Sequence, residues 1–105
     1  MYVLVVLRAG EALGDENVYA AEHERFVDSL IDRNVVLLGG GFAEPVADAG
    51  AAYVLRCADV DEARRIAGRD PFVVHGVMRA DVTEWRLVGI NTEAIDAAVV
   101  VTPSG

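Results

Sequence analysis

The sequence is poor in the residues that staple or anchor small proteins. It holds one cysteine, Cys57, in 105 residues. That excludes an intramolecular disulfide and any cysteine-based metal cluster, and fits a reducing cytosol. Positive charge is also scarce: Lys and Arg number 9 against 17 Asp and Glu, a formal charge of −8, with a pI near 4.5. Nucleic acids and anionic membrane surfaces need clustered cations, so no nucleic acid and no membrane is expected as a partner. No apolar run approaches the roughly 20 residues of a membrane span. Met1 to Arg8 lacks the basic lead and the small-residue cleavage site of a signal peptide, and a cytoplasmic location is the expectation. HxH and HExxH spacings are absent, so no metal is expected.

What is present is apolar. Hydrophobic residues make up 53% of the chain and the mean hydropathy is +0.32. This is high for a domain whose size leaves much of its surface exposed. Either the surface is unusually apolar, or another copy of the chain covers part of it. The length allows one domain with a core that needs no staples.

Tyr2 to Leu7 is apolar on both faces and β-branched, the pattern of a central strand buried on two sides. A helix is expected from Asn17 or Val18 to Arg33, with Asn34 ending it in the left-handed conformation. Val35 to Leu38 reads as a second strand running into Gly39-Gly40-Gly41. Ala43 to Gly50 reads as a long hairpin loop, and Ala51 to Cys57 as a third strand. Asp59 and Glu62 have capping-box spacing for a second helix. Asp70-Pro71 opens one short turn that exits at Gly76. Val77 to Val88 is a final strand whose alternation changes phase, which predicts a bulge or bend near Asp81. Residues 91–98 read as a short helix and 99–103 as an extended tail, so residues 1–90 form the domain and 91–105 an extension. The order β-α-β-β-α-β is the ferredoxin-like, split-βαβ pattern. It gives an α+β fold with a four-stranded antiparallel sheet and both helices on one face. The other face is equally apolar, so an identical sheet related by a two-fold axis is the expected cover, making a homodimer.

His23 is the most informative single residue. On a helical wheel the apolar stripe of the first helix spans an arc of roughly 140°, and His23 lies about 60° into it. It therefore faces inward, either as a core histidine satisfied by a carbonyl or as a neutral imidazole able to act as general base or acid. Asp70 reads either as the N-cap of the turn or as a carboxylate that orients an imidazole, and its two oxygens allow both roles. Gly39, Gly40 and Gly41 lack the Lys-Ser/Thr of a P-loop and the GxGxxG spacing; they read as a close approach or bulge at a strand end, with backbone N–H groups open to an oxyanion. Trp85 and Tyr53 read as core aromatics or as walls of a pocket for a flat ligand. Cys57 reads as a small core residue.

The segments AEHERFVDSL, VVLLGGGF, GAAYVLRCADVDEARRIAGRDPF and GVMRADVTEWRLV together resemble the YCII-related family over Tyr2 to Val88. The resemblance implies a ferredoxin-like fold pairing into a dimeric α/β barrel. It also implies an active site of one His and one Asp, which fall on His23 and Asp70. Its superfamily includes muconolactone isomerases and monooxygenases that act on small compounds without metal. Two departures stand out: Asn34 replaces the Gly that commonly ends the first helix, and the usual Gly-Pro after the second strand is Gly40-Gly41 or Gly41-Phe42.

The expectation is a cofactor-independent lyase or isomerase moving a proton on a small organic molecule through a His23–Asp70 dyad. Gly39, Gly40, Gly41, Phe72, His75 and Trp85 are the candidate ligand contacts. The alternative is a non-catalytic dimeric module that binds a small ligand or serves as a scaffold.

Overall fold

The computed structural model describes residues 1–12, 14 and 16–96. The expected tail at 99–103 and the end of the expected 91–98 helix lie outside them; within them Thr92–Ala94 forms one 3-10 turn. The elements are β1 (Tyr2–Ala9), α1 (Glu16–Asp32), β2 (Val36–Val46), β3 (Ala49–Arg56), α2 (Val60–Ala67), α3 (Pro71–Val74) and β4 (Met78–Glu84). The strands lie in the order β2-β3-β1-β4, each antiparallel to its neighbours. This is the ferredoxin-like arrangement, with β1 and β3 at the centre.

Alternation in β1 sorts its side chains between two faces. Val3, Val5 and Leu7 are fully buried and form one cluster with Tyr53 and Leu55 of β3 and with Leu30, Ala63, Ile66, Ala67 and Phe72 from the helices. All three helices therefore cover one face. Tyr2, Leu4 and Val6 point the other way and are only half-buried.

Helix ends follow from their residues. Asn34 takes φ 59°, while the Val35 N–H reaches back to the Leu30 carbonyl at 2.8 Å. Asp59 caps α2 by accepting the Glu62 N–H at 2.7 Å, which leaves Ala63, Ile66 and Ala67 as its inward side. Gly76 leaves α3 at φ +73°, a conformation side chains resist.

Three expectations are corrected. The hairpin between β2 and β3 is not a long loop: β2 runs through the glycines and Pro45 to Val46, and the chain reverses at Ala47-Asp48, with Ala47 at φ 53°. Pro45 is tolerated because β2 is an edge strand, where a missing N–H breaks no ladder on the outer side. No bulge occurs at Asp81, since β4 pairs with β1 in unbroken register from Met78 to Glu84. The strand ends there rather than at Val88, and the phase change lies beyond the sheet. The irregularities sit instead between Leu7 and Arg8, Val36 and Leu38, and Gly41 and Val46.

Gly39 is needed for close approach. It lies opposite Tyr53, and a Cβ there would meet the Tyr53 Cβ at 2.6 Å. Gly39→Ala should lower stability by about 1–3 kcal/mol through this overpacking. Urea denaturation of both variants checks this: Gly40→Ala, whose Cβ would meet nothing within 4 Å, should be near neutral.

At one end of the open face, four charges close on themselves. Arg8 bonds Asp81 at 2.6 Å and Asp48 at 3.0 Å, and Arg79 bonds both at 3.1 Å. The hydrogen bond from Arg8 holds the Asp48 carboxyl below its ordinary range, and the Arg8 guanidinium is raised in return. Two cations against two anions leave this end without an unpaired charge.

Candidate active site

The geometry converges on Asp70. Being before a proline, it is held extended at φ −60°, ψ 127°, which turns its carboxylate back over the start of α3. There Oδ1 accepts the Phe72 N–H at 3.0 Å, capping the turn. The same carboxylate meets Nδ1 of His23, 2.9 Å from Oδ1 and 3.0 Å from Oδ2. The Tyr53 hydroxyl donates to Oδ2 at 3.2 Å. Asp70 is wholly buried, while the His23 side chain retains 16% exposure. Both carboxylate contacts use Nδ1, so Nε2 is the ring nitrogen left for a molecule arriving from outside. A carboxylate on Nδ1 fixes the tautomer with its proton there and its lone pair on Nε2.

Two aromatic stacks tie α1 to α3. His23 lies on Phe72 with ring centroids 4.4 Å apart, and one turn earlier Tyr19 lies on His75 at 4.0 Å. His75 ends α3, with Nε2 3.9 Å from the Glu22 carboxylate. Of the candidate residues, the structure thus brings together His23, Asp70 and Phe72, with His75 alongside. Gly39, Gly40 and Gly41 are paired with β3 in the sheet, and of these Gly39 adjoins Tyr53. Trp85 is exposed past the end of β4, its backbone N–H bonded to the Tyr2 carbonyl at the start of β1.

Tyr53 reads from the sequence as a core aromatic or a pocket wall; its bond to the Asp70 carboxylate is what sequence reasoning missed. Its signal was present: alternation in AAYVLRC puts Tyr53 on the same face as Leu55, and an inward phenol must find an acceptor. Burial first, then the nearby Asp70 charge, pushes its hydroxyl far above the usual tyrosine range. The unfolded chain releases this proton near pH 10, whereas the folded chain keeps it. Stability is thus complete below about pH 10 and falls above it, by about 1.4 kcal/mol per pH unit for this one proton. Burial also raises the Cys57 thiol, which adds to the same trend. Urea midpoints from about pH 9 to about pH 11.5 should therefore decline, and Tyr53→Phe should flatten the slope by the Tyr53 share.

A cavity of about 520 Å³ lies on the helix side of β4, lined by Ala12, Val73, Met78, Ala80 and Val82, with Glu11, Arg64 and Arg79 also contributing. His23 and Asp70 are not among its lining residues; α3 presents Phe72 to the histidine and Val73 to the cavity. Among the described residues, no three His, Cys, Asp or Glu side chains group to hold a metal ion, and no helix is long and apolar enough to cross a membrane.

The fold and its buried Asp–His pair define a ferredoxin-like α+β domain with a histidine poised at the edge of its core. The YCII-related domain matches residues 1–86, and the chain belongs to that family. It is 30% identical over 86 residues, 82% of this chain and 94% of the relative, to the uncharacterised protein YjpA of Bacillus subtilis (strain 168). Its structure is similar, with a TM-score of 0.62 at 21% identity, to 5-chloro-2-hydroxyhydroquinone dehydrochlorinase (TftG) of Burkholderia phenoliruptrix AC1100 in complex with 2,5-dihydroxybenzoquinone. That match covers 82% of this chain and 94% of the other.

Proposed function

We propose that this protein is a lyase or isomerase that moves a proton on a small, oxygenated organic molecule, with His23 as the base and Asp70 as its orienting partner. The carrying observation is the double contact of a wholly buried carboxylate with Nδ1 of a partly exposed imidazole. Burying that anion is costly, and a simple tie between helix and turn could be made by an apolar contact. In the reaction, Nε2 takes a proton from substrate carbon or oxygen. The electron pair left behind forms a double bond, and a leaving group such as chloride departs from the neighbouring carbon. The resulting imidazolium is stabilised by Asp70 and returns its proton to water. The similar dehydrochlorinase supports an elimination of this kind. The working unit we propose is a homodimer, paired through the open sheet face.

A second reading is favoured by one observation: the cavity beside β4 does not include the dyad. On that reading the protein binds a small ligand there without transforming it, and His23–Asp70 is structural.

Chloride release from a panel of chlorinated hydroxyhydroquinones tests both. The first reading expects turnover by the wild-type protein and a loss of about 10²–10⁴-fold in His23→Ala, with circular dichroism showing the variant folded. Equal turnover in the two proteins refutes it. Absent turnover, with the same compounds shifting only NMR signals of Val73, Ala80 and Val82, establishes the second.

A further inference from the structure

We propose that Tyr53 is a positioning residue: by donating to Oδ2 of Asp70 it draws charge from the carboxylate and thereby lowers the proton affinity of His23. The proposal rests on the proton-transfer reading for its functional meaning and on geometry for its substance. Each carboxylate oxygen meets His23 Nδ1 and one further donor: the Phe72 N–H on Oδ1, the Tyr53 hydroxyl on Oδ2. The carboxylate is thus held at both ends, facing the imidazole squarely. Tyr53 is only 2% exposed, and Asp70 is the one buried charged side chain among the described residues. A buried phenol needs some acceptor, and a backbone carbonyl would serve packing alone. This phenol goes instead to the anion that contacts the imidazole. Gly39 across the strand pair leaves the Tyr53 backbone the room it occupies.

Without the hydroxyl, Oδ2 keeps only His23, and its charge is no longer shared with a second donor. The carboxylate becomes more basic, and it holds a protonated imidazole more strongly. The other titratable groups around the ring are few. Tyr19 and Glu22 stand on α1 beside His23, His75 on α3 contacts those two, and β2, which also packs on α1, carries only the exposed Glu44. None of them is altered by a change at Tyr53.

The test is a ¹⁵N NMR titration of the His23 ring, with His75 as internal reference. Tyr53→Phe should raise the His23 midpoint by about half to one pH unit, the equivalent of one net hydrogen bond. Site-specific 3-fluorotyrosine at position 53, a stronger donor of nearly the same shape, should lower it. The fluorinated protein decides alone if the Phe variant does not fold. An unchanged midpoint in either folded variant overturns the proposal and makes Tyr53 a packing residue. No substrate is needed, so the two readings fail separately. Shifted midpoints without any turnover remove the proton-transfer reading only. Turnover without a shift removes the role of Tyr53 only, and with both intact the acid limb of kcat/KM should move with the midpoint.

Discussion

Asp70→Ala should cost about 3–5 kcal/mol of folding free energy, measured by urea denaturation at neutral pH. Few single changes in a domain of this size reach that range, because the whole stability is on the order of 5–15 kcal/mol. Three groups depend on the one carboxylate. The Phe72 N–H loses its cap, worth about 1 kcal/mol, and the Tyr53 hydroxyl and His23 Nδ1 lose their acceptor in a site water barely reaches. A donor stranded in that way costs about 1–3 kcal/mol. Asp70→Asn keeps the volume and an acceptor oxygen, so its loss should be smaller, about 1–2 kcal/mol. It nevertheless offers His23 an N–H in place of an oxygen, and on the proposed proton-transfer reading turnover should fall far more than stability. Making the site apolar throughout, with Asp70→Ala joined by Tyr53→Phe and His23→Leu, should recover part of the loss, since fewer polar groups are stranded. A deficit below about 1 kcal/mol for Asp70→Ala would show that the carboxylate is not the hub the geometry makes it.

That hub was half legible in the sequence, and the division has a physical basis. Local signals had local consequences. Asp70 before Pro71 specified both an extended backbone and a cap, Asp59 with Glu62 specified the start of α2, and Asn34 ended α1 with φ 59°. The wheel position of His23 placed it toward the core because helical phase survives tertiary packing. What spacing could not supply was contact between residues 47 apart in sequence, or between Tyr53 and Asp70, 17 apart. Those depend on how β3 and α3 are set against each other by the sheet. The glycine run misled in another way. It read as a strand end, but β2 continues through it and Pro45 because an edge strand tolerates what a central one would not. The end of β4 was obscured for the opposite reason: the apolar residues beyond Glu84 continue the strand pattern although the ladder has stopped.

The proposed pairing of two open faces yields the other large effect. Leu4→Asp should weaken self-association by about three to four orders of magnitude in Kd. Leu4 sits on central strand β1, opposite Val54 of β3 and Thr83 of β4, on the face the helices do not cover. In a two-fold pair it would be buried against its counterpart, and the substitution would bury the same charge twice. An uncompensated buried carboxylate costs several kcal/mol, and each 1.4 kcal/mol is about tenfold in Kd. The single chain should still fold, because Val3, Val5 and Leu7 keep the helix-side core. Val18→Asp makes the control, since Val18 is 68% exposed on α1 and lies away from the sheet. Sedimentation should give twice 11.2 kDa for the wild-type protein and Val18→Asp, and a single copy for Leu4→Asp. The self-neutralised cluster of Arg8, Asp48, Arg79 and Asp81 predicts that added salt changes these masses little, because the face brings no net charge from that end. A wild-type protein that sediments as one copy at micromolar concentration would leave Leu4, Val6 and Tyr2 facing water, and the pairing would have to be abandoned.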